Sequence, residues 1–117
     1  MNNEIVYTES RTSNERAFLV DMTLVAYQSK GHTCAVLSEA HVELPETSKR
    51  RGVDVSRVCF SSPSNLKQAR EILEVLVRSG AVGLVIVEGF EGLLTPSYEN
   101  LITNLADKTG TSLLFAR

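Results

Sequence analysis

Few residue types in this chain offer chemistry beyond packing. The candidates are two cysteines, two histidines and one short basic run. Cys34 and Cys59 sit in Thr33-Cys34-Ala35-Val36-Leu37 and Val58-Cys59-Phe60. Apolar neighbours of this kind predict buried, reduced thiols that behave as small hydrophobes. A disulfide is the poorer reading, because nothing at Met1-Asn2-Asn3-Glu4 resembles an export signal. His32 and His41 do not combine with the cysteines in a zinc-ligand spacing. Lys49-Arg50-Arg51, with Arg57 nearby, reads either as a solvated face or as a contact for a phosphate or a partner.

The elements that must position these residues alternate between strand and helix patterns, the mark of β-α-β units on a parallel sheet. Ile5–Tyr7 is a short first strand. Thr12 and Glu15 form a capping box that opens a helix from about Ser13 to Lys30. Phe18, Leu19, Met22, Val25 and Ala26 supply its predicted core stripe, and Gly31 ends it. Thr33–Leu37 is the second strand, a short helix is predicted near Glu46–Arg51, and Val58–Phe60 is the third strand. Asn65 and Gln68 form a second capping box. The helix after it buries Leu66, Ala69, Ile72, Leu73, Leu76 and Val77 and ends before Gly80. Leu84–Val87 is apolar at every position, as expected of a strand covered on both faces. Gly89 and Gly92 bracket a turn predicted to be flexible. Thr95-Pro96 then starts a helix that runs to about Asp107, and Ser112–Phe115 is the last strand.

The 117 residues fit one domain, and 43% apolar with 22% charged residues is ordinary for a folded chain. No apolar run approaches the roughly 20 residues needed to cross a bilayer. A net charge of -2 lacks the basic excess that marks many nucleic-acid binders.

From Gly31 onward the sequence resembles the ATPase core of the bacterial RecA recombinases. The segments that carry the likeness are Gly31-His32-Thr33-Cys34-Ala35, Gly52-Val53-Asp54-Val55, Arg78-Ser79-Gly80-Ala81-Val82 and Leu94-Thr95-Pro96. The resemblance implies a three-layer α/β domain of the P-loop NTPase type, with a mainly parallel five-stranded sheet over residues 1–117. It places Ile5–Tyr7 in the middle, between Leu84–Val87 and Ser112–Phe115, with Thr33–Leu37 an outer strand, either adjacent to Leu84–Val87 or separated from it by Val58–Phe60. It further implies a nucleotide site, whose parts are altered here. A phosphate loop needs glycines, a lysine and a hydroxyl. The aligned stretch is Ser10-Arg11-Thr12-Ser13-Asn14-Glu15-Arg16-Ala17, with Arg16 in the lysine's place, Ala17 in the hydroxyl's, and Glu15 where phosphates would lie. The family's catalytic glutamate aligns with Ala40 and its adenine-stacking tyrosine with Thr47; an acidic residue survives as Glu88. The family's first DNA-binding loop has no counterpart after Pro96, and its second loop, its glutamine switch and its subunit-docking segment have none either.

These features predict a non-catalytic RecA-like interaction protein, cytoplasmic, with no cofactor, no metal and no membrane partner. The resemblance supplies DNA repair or the damage response as its context. Lys49, Arg50, Arg51, Phe90, Glu91, Leu93 and Leu94 are the candidate partner surface, although Phe90, Leu93 and Leu94 read equally as core cover. Self-association through an exposed sheet edge is a further option. The alternatives are a residual nucleotide-binding protein or weak ATPase using Arg16 and Glu88, and a weak single-stranded DNA binder using the basic run.

Overall fold

The computed structural model describes residues 3–41 and 43–117. Met1 and Asn2, on which the reading of the N-terminus drew, lie outside them. Five strands, β1 (Ile5–Thr8), β2 (Cys34–Ser38), β3 (Val58–Ser61), β4 (Leu84–Glu88) and β5 (Ser112–Ala116), form one sheet in the order β1-β5-β4-β2-β3. All the pairings are parallel. α1 (Ser13–Ser29) and the short α2 (Glu46–Arg50) lie on one face, and α3 (Leu66–Ser79) and α4 (Pro96–Thr109) on the other. The predicted three-layer architecture is therefore present.

The strand order differs from expectation. β1 is an edge strand paired only with β5, and β5 takes the interior place beside β4. Burial explains the exchange. Ser112–Ala116 is buried at every position, whereas Val6 and Tyr7 of β1 are exposed. The strand that can be covered on both faces goes inside. Of the two places left open for β2, it takes the one directly beside β4, and β3, not β2, forms the second edge.

That edge position also corrects the thiol reading. Cys34 is buried, while Cys59 is exposed. Cys59 pairs in register with Ala35, whose side chain packs under α3 and α4, so Cys59 lies on that face of the sheet. At the sheet's margin no helix covers it.

α1 departs from its predicted stripe as well. Its buried residues are Val20, Asp21, Leu24 and Gln28, while Phe18 and Ala26 are exposed and Leu19, Met22 and Val25 are half-buried. Two of the inward positions are polar and satisfied: Gln28 Nε2 donates to the Asp54 carbonyl at 2.8 Å, and the Asp54 N–H donates to Gln28 Oε1 at 2.9 Å. Both capping pairs form at the N-cap, while the reciprocal side chains, Glu15 and Gln68, reach one residue further back to the N–H groups of Arg11 and Ser64. Glu15 N–H donates to Thr12 Oγ1 (3.1 Å) and Gln68 N–H to Asn65 Oδ1 (2.8 Å). Among the described residues no helix is long and apolar enough to cross a membrane.

Candidate functional site

The C-terminal ends of β2 and β4 meet the start of α1, and this is where the aligned nucleotide residues converge. Ser38 and Glu88 are register partners that close their strands side by side. Both are buried, and Ser38 Oγ donates to Glu88 Oε1 at 2.7 Å. The same oxygen of Ser38 accepts the N–H groups of Ala40 (3.2 Å) and His41 (3.1 Å), folding the loop after β2 back onto the strand end. From α1, Arg16 brings its guanidinium within 3.8 Å of Glu88 Oε2, an ion-pair distance. His41 Nε2 lies 3.9 Å from Glu88 Oε1.

The loop before α1 is occupied in the same self-contained way. Ser10 N–H donates to the Arg117 carbonyl, Arg11 N–H to Glu15 Oε2 (2.9 Å), Glu15 N–H to Thr12 Oγ1, and Arg16 N–H to the Thr12 carbonyl. Of the first-turn donors that a phosphate would use at a helix N-terminus, the Glu15 N–H is thus already taken. The Glu15 carboxylate takes the position favoured by the helix dipole. Ala17, Glu88 and His41 border a cavity of about 20 Å³, also lined by Val20, Asp21, Val36, Leu44, Pro45, Ser48 and Phe60. That is room for about one water, against several hundred Å³ for a typical ligand site. Ala40 and Thr47 are exposed, and neither borders the cavity.

The proposed partner residues are not one surface. Phe90 and Leu93 are buried in the core under α3 and α4, and Leu94 packs half-buried against it; Glu91 remains exposed. Phe90 and Leu93 are therefore corrected to core residues, because the turn after β4 tucks their side chains beneath the helices. That turn is tied to α3, where Arg70 donates to the carbonyls of Gly92 (3.0 Å) and Leu93 (2.8 Å). The basic run divides in two. Lys49 and Arg50 are exposed, with Lys49 3.8 Å from Glu46. Arg51 turns inward, 2.7 Å from Asp21, with its guanidinium over the Phe18 ring.

Asp21 escaped the sequence reading. Its buried carboxylate accepts from Ser48 Oγ at 2.7 Å as well as from Arg51, so it ties α2 to α1. The available signal was a charged residue between Val20 and Leu24 with a basic run further along the chain. Other reactive groups are muted. Burial pushes the Cys34 thiol up to about 11, so it carries little thiolate near neutrality. Among the described residues no group of three or more His, Cys, Asp or Glu is placed to hold a metal ion.

Comparison with known proteins matches residues 4–111 to the RecA N-terminal domain family. Protein RecA from Acinetobacter baumannii is 41% identical over 81 residues, covering 67% of this chain and 23% of that protein. Protein RecA from Cereibacter sphaeroides is 40% identical over 72 residues, covering 62% of this chain and 21% of that protein. The matched stretch thus spans about a quarter of the RecA proteins or less. Among solved structures, SulA from Pseudomonas aeruginosa superposes with a TM-score of 0.77 over 97% of this chain and 96% of its own, at 14% identity. At that identity the likeness is one of fold.

Proposed function

The chain belongs to the RecA N-terminal domain family, and from that premise we propose that it is a non-catalytic RecA-like interaction domain, acting by binding another protein rather than by turning over a nucleotide. One observation carries the reading. The charges and donors that would hold a nucleotide are engaged with each other: Arg16 and Ser38 satisfy Glu88, and Glu15 takes the loop donor at Arg11. A phosphate entering there would have to displace Glu15 and separate Arg16 from Glu88. Arginine is also a rigid fork rather than the compact point charge of a phosphate-binding lysine. The missing hydroxyl at Ala17 and the missing carboxylate at Ala40 would each remove stabilisation of a phosphoryl-transfer transition state.

DNA repair or the damage response is the proposed setting and the cytoplasm the proposed compartment, both resting on the RecA relatives. Direct binding to single-stranded DNA is disfavoured, since Arg51 is sequestered by Asp21 and Lys49 lies against Glu46. The test is phosphate release from ATP with Mg²⁺, with and without single-stranded DNA. Release should equal that of buffer. Turnover that disappears in a Glu88→Gln variant would refute the reading and make the chain an enzyme.

A further inference from the structure

α3 buries one side against the sheet and sets another against α4. Ala69, Leu73 and Val77 are buried in the core, and the Arg70 guanidinium lies 5.1 Å from the centre of the Tyr98 ring on α4. Ile72 follows two residues on, roughly 200° around the helix from Arg70. On that far side the packing is incomplete. Ile72 and Leu76 are only half-buried, although their spacing predicts core, and Val75 is 65% exposed. Val75 is the most exposed large apolar side chain among the described residues. Phe18 and Tyr7, next in exposure, are engaged by the Arg51 guanidinium and by the Phe115 ring. Val75 instead lines an open groove of about 230 Å³ with Glu71, Ile72 and Leu76. We propose that this side of α3 docks on the same side of α3 in a second copy of the chain, the two helices running antiparallel. The contact lies apart from the Glu88 cluster and stands whether or not a nucleotide binds.

The pattern of the helix selects the occupant. Gln68, Ile72, Val75 and Ser79 recur at spacings of four, three and four, the seam along which two helices pack. Glu71 and Arg78 flank that seam on one side, a heptad apart and opposite in sign. Both are exposed, and neither joins an ion pair among the described residues. A two-fold axis through the seam between Ile72 and Val75 sets Ile72 against the partner's Val75. It also sets Glu71 against the partner's Arg78, and each contact is made twice. A parallel pairing would bring Glu71 level with the partner's Glu71 and Arg78 level with the partner's Arg78, leaving both charges unmatched. A small ligand is the poorer occupant. The groove is smaller than the ~300–1,000 Å³ of ligand pockets, and Glu71 alone among its lining residues has a polar side chain to orient one.

The length of the helix sets the strength. One 14-residue helix from each copy covers less than the ~1,200 Å² at which stable interfaces begin. The dimer therefore forms and dissociates readily. The apolar seam supplies its affinity, and the flanking charges fix its direction.

The experiment is a concentration series of the full ¹⁵N-labelled chain from about 20 μM to about 1 mM, the range that brackets a weak dimer. It is read by sedimentation equilibrium and by ¹H–¹⁵N correlation spectra. The mean mass should climb from one chain toward two, with saturable shifts confined to the amides of residues 67–80. Val75→Lys should weaken association by about tenfold or more, with the spectrum otherwise native. Glu71→Arg and Arg78→Glu should each weaken it by about threefold or more, and the two together should restore it. A merely adhesive patch would show no such rescue. A single chain at every concentration, shifts centred on β1 or on the Glu88 cluster, or a double variant no better than either single would each overturn the proposal.

Discussion

Asp21 and Glu88 are built from the same parts and differ in what those parts accomplish. Each is a buried carboxylate that accepts a serine hydroxyl at 2.7 Å, Ser48 for Asp21 and Ser38 for Glu88. Each also faces an arginine. Arg51 makes a direct 2.7 Å hydrogen bond to Asp21, whereas Arg16 stops 3.8 Å from Glu88. The Asp21 cluster joins α1 to α2, two elements separated in the chain by β2 and its flanking loops. The Glu88 cluster lies where the family would place nucleotide chemistry, and its members, drawn from α1, β2 and β4, neutralise one another. A shared constellation is thus a structural clasp in one place and a blocked site in the other. Geometry, not residue type, separates them.

The largest effect expected from breaking this comparison is at Asp21. Asp21→Ala strips Ser48 and Arg51 of their acceptor, and should cost about 2–3 kcal/mol in urea unfolding. That is below the ~3–5 kcal/mol of a fully buried broken pair, because Arg51 can still reach water. Loss of less than about 0.5 kcal/mol would mean that the clasp is not structural. Glu88→Gln keeps an acceptor for Ser38 and loses only a long ion pair, so its cost should be about 1 kcal/mol or less in the same assay. If Glu88→Gln proved the more damaging of the two, the contrast would fail.

The smallest effect is one of pH, and it sharpens the contrast by locating a third polar contact at the opposite edge. Partial desolvation of the hydroxyl, then the hydrogen bond to Glu99 and that carboxylate's charge, raise the phenol of the largely exposed Tyr7 from 10.0 to about 12. The raised value means that the folded state holds the proton more tightly. Its contribution to stability is therefore complete below pH ~10 and fades as pH rises toward 12. Absorbance at the phenolate band should show two tyrosines ionising late in the native protein, because burial raises Tyr98 as well, and Tyr7→Phe should remove one of the two late steps. A tyrosine titration with no step above the ordinary range would contradict it.

How far the sequence could be read depended on whether burial followed apolar character. Where it did, as in Leu84–Val87, the capping pairs Thr12/Glu15 and Asn65/Gln68, and the Leu66–Val77 helix, element type and place were legible. α1 misled because Asp21 and Gln28 occupy inward positions, their polar atoms satisfied by residues 26 to 30 positions away. No local periodicity reports such long-range partners. Cys59 misled because its apolar neighbours said nothing about its lying on an edge strand. The order of β1 and β5 misled because family analogy outweighed a plain clue, the half-polar character of Ile5–Thr8 against the wholly buried Ser112–Ala116. At the candidate site, the altered residue types at Glu15, Arg16 and Ala17 were visible. The engagement of Arg16 and Ser38 with Glu88, and of Glu15 with the Arg11 N–H, needed three dimensions.

The central claim is that this engagement leaves nothing for a nucleotide to bind. Isothermal titration of the full chain with ATP and Mg²⁺ near physiological salt tests it most directly. The account predicts heats indistinguishable from dilution. A saturable isotherm with a micromolar dissociation constant, weakened by Arg16→Ala, would contradict it.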